Sequence, residues 1–359
     1  MKIEIAILGS TGSIGKTLLN IIKRDQKKFK IKLLTANKNY KTLLNQAKKF
    51  NVQNLIVTDS ESFKKLKKLN KRNRLNIYNS YENFNKIFKK KIDYVMSSVS
   101  GFSGLQPTID IIKHTKLIAI ANKESIICGW NLIKKQLLKY KTNFIPVDSE
   151  HFSVWYALKN KANLNIDKIY LTASGGPLLK VPKLKYNDLK VSQILKHPNW
   201  NMGKKISVDS STMMNKVFEI IEAKKIFNIS YEKLSILIHP KSYVHAIVKF
   251  NDGMIKIIAH DTTMLIPIFN TLYGESFKNI KSRNVNIKKL NNLELQNIDI
   301  KKFPTVNIIK KLPNTNSLFE TIIVSANDAL VDLFLRKKIK YSEISIRLLK
   351  FLNKKDSIK

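Results

Sequence analysis

The chain has a single cysteine, Cys128. That excludes an intrachain disulfide and any zinc centre built from cysteine thiolates. No apolar run approaches the roughly 20 residues a helix needs to cross a bilayer. Met1-Lys2 passes directly into the apolar Ile3–Leu8 and then a glycine-rich turn, so no signal peptide is expected and a cytoplasmic soluble enzyme is. Acidic residues are also scarce, 26 against 65 lysines and arginines, for a formal charge of +39. Such an excess suits nucleic acid or an anionic membrane, or else a lysine-rich composition spread over solvated faces. The lysines recur throughout in doublets such as Lys48-Lys49, Lys67-Lys68 and Lys224-Lys225. They are not interleaved with aromatics, and no nucleic-acid-binding signature accompanies them. The reading is therefore no nucleic acid and no membrane, with the positive field left to collect anionic small molecules.

At 359 residues, 43% of them hydrophobic, the chain suits two or three globular domains. Up to about residue 150, short β-branched runs alternate with stretches of helical period. The runs are Ile3–Leu8, Ile31–Leu34, Leu55–Thr58, Tyr94–Ser97, Leu117–Ile120 and Phe144–Val147. Lys16–Lys23 and Tyr40–Phe50 read as helices between them. This alternation predicts a doubly wound, mostly parallel sheet. Further on, Ile169–Thr172, Leu234–Ile238, His245–Phe250 and Ile255–Ala259 read as strands, the last two joined by the hairpin signal Asn251-Asp252-Gly253. A largely antiparallel sheet with a few helices fits this α+β region, and the pattern from Thr305 onward is helical. The expected boundaries are a nucleotide-binding domain at 1–149, a catalytic domain at 150–274, a linker at 275–303 and a small helical domain at 304–359.

Gly9-Ser10-Thr11-Gly12-Ser13-Ile14-Gly15 follows the first strand and opens the first helix. Glycines there permit a tight turn and close approach to a pyrophosphate seated at the helix N-terminus. After the second strand, where an NAD site carries an acid for the ribose 2′-hydroxyl, the chain reads Asn37-Lys38-Asn39. A lysine between amides suits a 2′-phosphate and favours NADPH; the alternative is that Lys38 is one more surface lysine. Asn122-Lys123-Glu124 would lie at a carboxyl end of the sheet, as a cofactor or substrate contact or as a helix N-terminal cluster.

Asp148-Ser149-Glu150 stands after the last strand of this region. On an extended chain the two acids would point to the same side, with Ser149 facing away unless the chain turns. Taking Asn215 as the zero of a helical wheel, Glu219 lies about 40° to one side and Glu222 about 20° to the other. Asn215, Lys216, Glu219 and Glu222 thus form a polar face over apolar Met214, Val217, Phe218 and Ile221, either solvated or part of a site. Asp209, Ser210, Ser211 and Thr212 read as the N-cap cluster of that helix, suited to phosphate. An all-oxygen set from Asp148, Glu150 and Glu219 suits Mg²⁺ or Mn²⁺ rather than zinc, with Glu222 a less certain fourth acid. His197-Pro198-Asn199-Trp200-Asn201-Met202-Gly203 reads as a loop, Trp200 being a lid residue or a buried pin. Ser174-Gly175-Gly176-Pro177 is a second anion-friendly turn. His239, His245 and His260 show no ligand spacing and read as structural.

Taken in order, these motifs resemble the 1-deoxy-D-xylulose 5-phosphate reductoisomerase family from Lys2 to about Gly253. The resemblance implies a homodimeric enzyme of the non-mevalonate isoprenoid pathway with a Rossmann-like first domain. Its metal would be Mg²⁺ or Mn²⁺, with Co²⁺ a further possibility, acting as a Lewis acid on the ketone and neighbouring hydroxyl of a phosphorylated sugar. The skeleton would rearrange to a branched aldehyde, which NADPH reduces to 2-C-methyl-D-erythritol 4-phosphate. By that resemblance Asp148, Glu150 and Glu219 are metal ligands, and Lys123, Asp148, Glu150, His197, Lys216 and Glu219 are catalytic. Lys123, Ser149, Glu150, Ser174, His197, Trp200, Ser210, Asn215, Lys216 and Glu219 contact substrate. Gly9–Gly15, Asn37, Lys38, Asn39, Asn122, Glu124 and Gly203 serve NADPH. Two segments depart from the family pattern: His260–Tyr273, which lacks an arginine expected near Leu265, and a C-terminal helical region expected to be shortened. A plain NADP-dependent semialdehyde dehydrogenase would share the first domain but not need the carboxylate set.

Overall fold

The computed structural model describes residues 2–70, 74–159, 165–200, 202–274, 279–280, 282, 284–315 and 317–353. Asn201 of the expected loop, residues 275–278, 281 and 283 of the expected linker, and residues 316 and 354–359 of the expected helical domain lie outside these. The chain divides into two units: residues 1–148 with 264–280, and residues 149–263 with 281–359.

In the first unit seven strands form one parallel sheet. They are β1 (Ile3–Leu8), β2 (Phe29–Ala36), β3 (Asn54–Val57), β4 (Asn76–Tyr78), β5 (Ile92–Ser97), β6 (Thr115–Ile120) and β7 (Asn143–Pro146), in the order β4-β3-β2-β1-β5-β6-β7. Six expected strands are present with ends shifted by up to two residues. β4 escaped notice because Asn-Ile-Tyr is too short to carry a period. Ile5–Leu8 are buried on both faces of the sheet, as a strand covered by helices on two sides requires. The strand order reverses between β1 and β5, so the turn after β1 opens at the switch point where doubly wound folds bind ligands. Helices α1 (Ser13–Arg24) and α2 (Tyr40–Phe50) follow β1 and β2, and α3 (Lys123–Tyr140) follows β6.

Residues 264–274 were expected in the catalytic domain, but they fall in this first unit. The physical reason is apolar. In the helix Leu265–Tyr273, Ile268, Leu272 and Tyr273 join the core that contains Ile22 and Phe29. The Tyr273 ring meets Phe29 edge-on at 5.5 Å, and Thr271 Oγ1 lies 3.0 Å from the buried Tyr94 hydroxyl.

The second unit has a five-stranded sheet ordered β11-β10-β8-β9-β12, from β8 (Ile166–Ala173), β9 (Leu234–Ile238), β10 (Val244–Phe250), β11 (Ile255–Ala259) and β12 (Gln296–Asn297). Only β8 and β9 run parallel; the other three pairings are antiparallel. The β10–β11 hairpin turns at Gly253, whose φ of +84° only glycine adopts readily. The expected linker is not featureless, since β12 lies within it and pairs with β9. Helices α4 (Ser149–Leu158), α5 (Lys204–Ser211) and α6 (Met214–Phe227) carry the polar motifs, and α7 (Phe319–Leu335) and α8 (Tyr341–Asn353) close the described chain. The last two helices pack within this unit and share an apolar cluster with Leu178, Ile194 and Val208. Among the described residues no helix is long and apolar enough to cross a membrane.

Two local expectations fail here. Ser149 starts a helix, so Asp148 and Glu150 do not lie on an extended chain. Asp209–Thr212 are not the N-cap of α6 but the last turn and C-cap of α5, whose Ser211 hydroxyl bonds back to the Val208 carbonyl at 2.6 Å. Asp209 is buried and held by Asn327 Nδ2 of α7 at 2.8 Å and Lys205 Nζ at 2.9 Å. Removing the amide leaves a buried carboxylate short of a donor. Asn327→Ala is therefore expected to lower the unfolding free energy by about 1–3 kcal/mol, read as a shifted urea midpoint at constant slope.

Candidate active site

The cofactor turn is built by exclusion. Gly9 has φ +80°, and a Cβ there would lie 2.6 Å from the Ser98 carbonyl oxygen beyond β5. A Cβ on Gly15 would lie 2.5 Å from the Ser10 Cα, so helix α1 abuts the turn without a side chain between them. Gly12, the N-cap, offers no side chain to the first-turn N–H groups, which suits an anion. Ser10, expected to touch the cofactor, has its polar groups bonded within the fold. It is wholly buried, its N–H bonds the Thr35 carbonyl at 2.9 Å, and its hydroxyl and carbonyl both meet Gln46. Thr11, Gly12, Ser13 and Ile14 remain accessible.

After β2, Asn37 donates to the Thr58 hydroxyl at 2.8 Å, and the Asn39 side chain caps α2. Lys38 is exposed. The Ser62 backbone N–H, with a smaller contribution from Lys38, holds the Asp59 carboxyl below its usual range. Asn122 was expected as a cofactor contact, but its amide is used internally. It caps α3 through Ser125 N–H and donates to the carbonyls of Val99 and Gly101. Glu124 is likewise buried. Lys123 Nζ meets Asp148 Oδ2 at 2.9 Å.

In the second unit, helix α6 is buried on nearly every side. Lys216, Glu219 and Glu222 are as inaccessible as Val217 and Phe218, which excludes the solvated-face alternative. Lys216 Nζ lies 2.7 Å from Glu150 Oε1 and 2.6 Å from Glu219 Oε2. Asn215 Nδ2 donates to the other Glu219 oxygen, and the Ser149 hydroxyl donates to Glu150 Oε2 at 2.5 Å. The gross attraction is roughly 6 kcal/mol per contact at an effective dielectric near 20. It must offset the desolvation of the buried Lys216 and Glu219 and the partly buried Glu150.

The boundary between the units is the Asp148–Ser149 peptide bond, so the chain itself places Asp148 beside Glu150. Within the second unit Glu150 and Glu219 each present a carboxylate oxygen to Lys216, and Asp148 stands two residues before Glu150 in the chain. Carboxylate oxygens are hard donors of the kind a small divalent cation prefers. His151, absent from the expected site, is wholly buried on α4. Its Nε2 must donate, since its partner at 2.8 Å is the Glu219 carbonyl, and its Nδ1 faces Glu222 Oε2 at 3.8 Å. Ring and carboxylate thus join α4 to α6 directly beneath the acids. Only its position next to Glu150 could have flagged it.

His197 Nδ1 accepts the backbone N–H groups of Asn199 and Trp200 at 3.2 and 3.0 Å. The proton of the neutral ring therefore sits on Nε2, which faces the Ser174 hydroxyl at 3.0 Å. Burial, aided by the Lys216 charge, pushes His197 down to about 4, so the ring is neutral at pH 7. Ser174 Oγ also accepts the Gly176 N–H at 3.0 Å, which leaves its own proton to donate outward. Gly176 has φ +66°, and a Cβ on it would meet the Ser210 carbonyl at 2.8 Å. That contact brings the glycine turn and the end of α5 together. Trp200 is half-buried, with its ring edge-on to His245 at 6.1 Å, and His245 stacks on His260 at 3.8 Å. Gly203, expected to touch the cofactor, is exposed at the N-cap of α5.

Family models described as 1-deoxy-D-xylulose 5-phosphate reductoisomerase, its C-terminal domain, and DXP reductoisomerase C-terminal domain match residues 5–129, 144–227 and 261–359. The 1-deoxy-D-xylulose 5-phosphate reductoisomerase of Pelagibacter ubique (strain HTCC1062) is 62% identical over 352 residues, 98% of this chain and 91% of the relative. The same-named protein of Clostridium tetani is 37% identical, covering 95% of this chain and 90% of its own. Among solved structures, the reductoisomerase of Zymomonas mobilis in complex with NADPH matches with a TM-score of 0.89 and 29% identity over 98% of this chain and 92% of its own. A DOX-P reductoisomerase in complex with NADPH, fosmidomycin and magnesium matches with the same score and identity over 99% and 90%.

The depressed pKa of His197 has a measurable consequence. Between the ordinary value of 6.5 and about 4, the unfolded chain binds a proton that the folded ring refuses. Its contribution to stability is complete above 6.5 and is lost as pH falls toward 4. His197→Gln should therefore lose less stability than the parent over that interval, measured as denaturation midpoints at a series of pH values.

Proposed function

This chain belongs to the 1-deoxy-D-xylulose 5-phosphate reductoisomerase family, and from that premise we propose how its residues divide the work. The enzyme rearranges 1-deoxy-D-xylulose 5-phosphate and reduces the product with NADPH, in the presence of a divalent metal, to 2-C-methyl-D-erythritol 4-phosphate. Asp148, Glu150 and Glu219 hold the metal, Mg²⁺ or Mn²⁺. The observation that carries this assignment is the meeting of Glu150 and Glu219 on the buried Lys216, with Asp148 two residues from Glu150 in sequence. Once bound, the cation supplies Lewis-acid charge at the substrate's ketone and hydroxyl oxygens.

The remaining roles follow from donors and acceptors. Lys216 and Asn215 keep Glu219 oriented, and Lys216 offers its ammonium protons to a substrate oxygen. Ser149 orients Glu150, and Lys123 does the same for Asp148. Neutral His197 and Ser174, with Ser210 beside the Gly176 turn, bind the substrate's phosphate and hydroxyls as donors. Trp200, resting on His245, covers the bound sugar and excludes water from the aldehyde before reduction. Thr11–Gly15 receive the NADPH pyrophosphate, and Lys38 its 2′-phosphate. β11 is an edge strand of its sheet, and Ile255 and Ile257 on it, with Met254 just before it, are 54, 49 and 63% exposed, apolar area that supports a homodimer. We place the enzyme in the cytoplasm.

NADPH oxidation with 1-deoxy-D-xylulose 5-phosphate should require Mg²⁺ or Mn²⁺ and stop with EDTA. Glu219→Gln should lower turnover about a thousandfold or more with NADPH binding retained. Normal turnover in that variant would remove Glu219 from the metal. Lys38→Ala should weaken NADPH far more than NADH; equal losses would make Lys38 an ordinary surface residue.

A further inference from the structure

We propose that Gln46 is a positioning residue for the cofactor turn, acting through Ser10. No motif in the sequence singled it out: it is one polar residue on helix α2, 36 positions from the turn. The structure gives it two reciprocal bonds. The Ser10 hydroxyl lies 2.8 Å from Gln46 Oε1, and Gln46 Nε2 lies 2.9 Å from the Ser10 carbonyl. The orientation of the amide follows, because a carbonyl only accepts and must face the NH₂ group. The Ser10 hydroxyl then donates to Oε1, with the Thr35 carbonyl a longer alternative at 3.2 Å.

Ser10 is the residue about which the turn is organised. Its N–H is tied to Thr35 and its neighbour Gly9 donates to Thr35 Oγ1 at 2.9 Å, while Gly15 packs on its Cα. Thr35 holds the turn from β2, and Gln46 holds it from α2. With its hydroxyl and carbonyl both drawn to Gln46, Ser10 faces inward, and residues 11–14 remain accessible. α2 is also the helix that Asn39 caps, so one rigid element joins the turn to the loop bearing Lys38. Fixing the turn before the nucleotide arrives spares the ordering cost that binding would otherwise carry.

This inference rests on the reading that residues 9–15 seat the pyrophosphate, and the test separates the two. Dissociation constants for NADPH and NADH are measured by fluorescence on full-length parent, Gln46→Leu, Ser10→Ala and Gly12→Asp, with kcat, KM and thermal midpoint for each. Gln46→Leu should raise both dissociation constants by a common factor of about tenfold, since the turn serves the part the cofactors share. Its kcat at saturating NADPH should stay within about twofold of the parent, with the loss confined to KM. Ser10→Ala should show a smaller loss of the same kind, and it carries the test if Gln46→Leu fails to fold. Unchanged NADPH affinity in folded Gln46→Leu, with Gly12→Asp impaired, would reduce Gln46 to a packing residue. Unchanged affinity in Gly12→Asp as well would overturn the reading of the turn itself. A fall in kcat matching the loss in affinity would also refute a positioning role.

Discussion

The second unit depends on keeping like charges together out of water. Glu150 and Glu219 come from different helices and would separate if left to themselves. Two carboxylates about 5 Å apart repel by roughly 3 kcal/mol at an effective dielectric of 20. The Lys216 ammonium, shared between them at 2.7 and 2.6 Å, reverses the sign of that interaction. It does so only because α6 is held rigidly, with Val217, Phe218, Ile220 and Ile221 at 0% exposure on its apolar sides. Packing of α6 thus holds Lys216 where it balances two acids that would otherwise repel. On the proposed assignment, a divalent cation would enter a site whose repulsion is already offset by this lysine.

The first unit solves a related problem with partial charges. A pyrophosphate needs several N–H groups aimed at one point, and a flexible glycine turn would scatter them. Here the flexibility needed to form the turn is removed by what surrounds it. Gly9 is confined by the Ser98 carbonyl and Gly15 by the Ser10 Cα, and Ser10 is bonded through its N–H, hydroxyl and carbonyl. Glycine provides access to the backbone, and the neighbours supply the order.

The legible parts of this molecule were those encoded within a few residues. The glycine turn, the Asn-Asp-Gly hairpin and the β-branched runs carry their own stereochemistry, and the Asp148-Ser149-Glu150 trio keeps its acids near each other whatever the chain does. The spacing of Asn215, Lys216 and Glu219 gave a shared helix face without giving its burial. Contacts set by tertiary packing were not legible. Asp209 read as a helix cap because Asn327, its partner, stands 118 residues away. Leu265–Tyr273 read as part of the catalytic domain, because nothing local says that its apolar face fits against Ile22 and Phe29. His151 and Gln46 passed unnoticed, as lone polar residues whose partners lie across the fold. The internal bonds of Ser10 and Asn122 were likewise not legible, because Gln46, Val99 and Gly101 lie far from them in sequence.

The excess positive charge bears on all of this. Acids are outnumbered 26 to 65, and two of the few present, Glu150 and Glu219, are gathered around Lys216. A positive protein repels a divalent cation at long range while it attracts a phosphorylated sugar and NADPH. At physiological ionic strength, charges beyond about 8 Å are largely screened. The distant lysines therefore act mainly on the encounter with anions, and the cation in the site responds chiefly to the carboxylates a few ångströms away. Burial strengthens this separation, because the low dielectric around Glu219 amplifies near charges more than far ones. A surface of one sign and a centre of the other can thus coexist in one chain. The acids at the centre must be close together, withdrawn from water and matched to a lysine, as Glu150 and Glu219 are by Lys216.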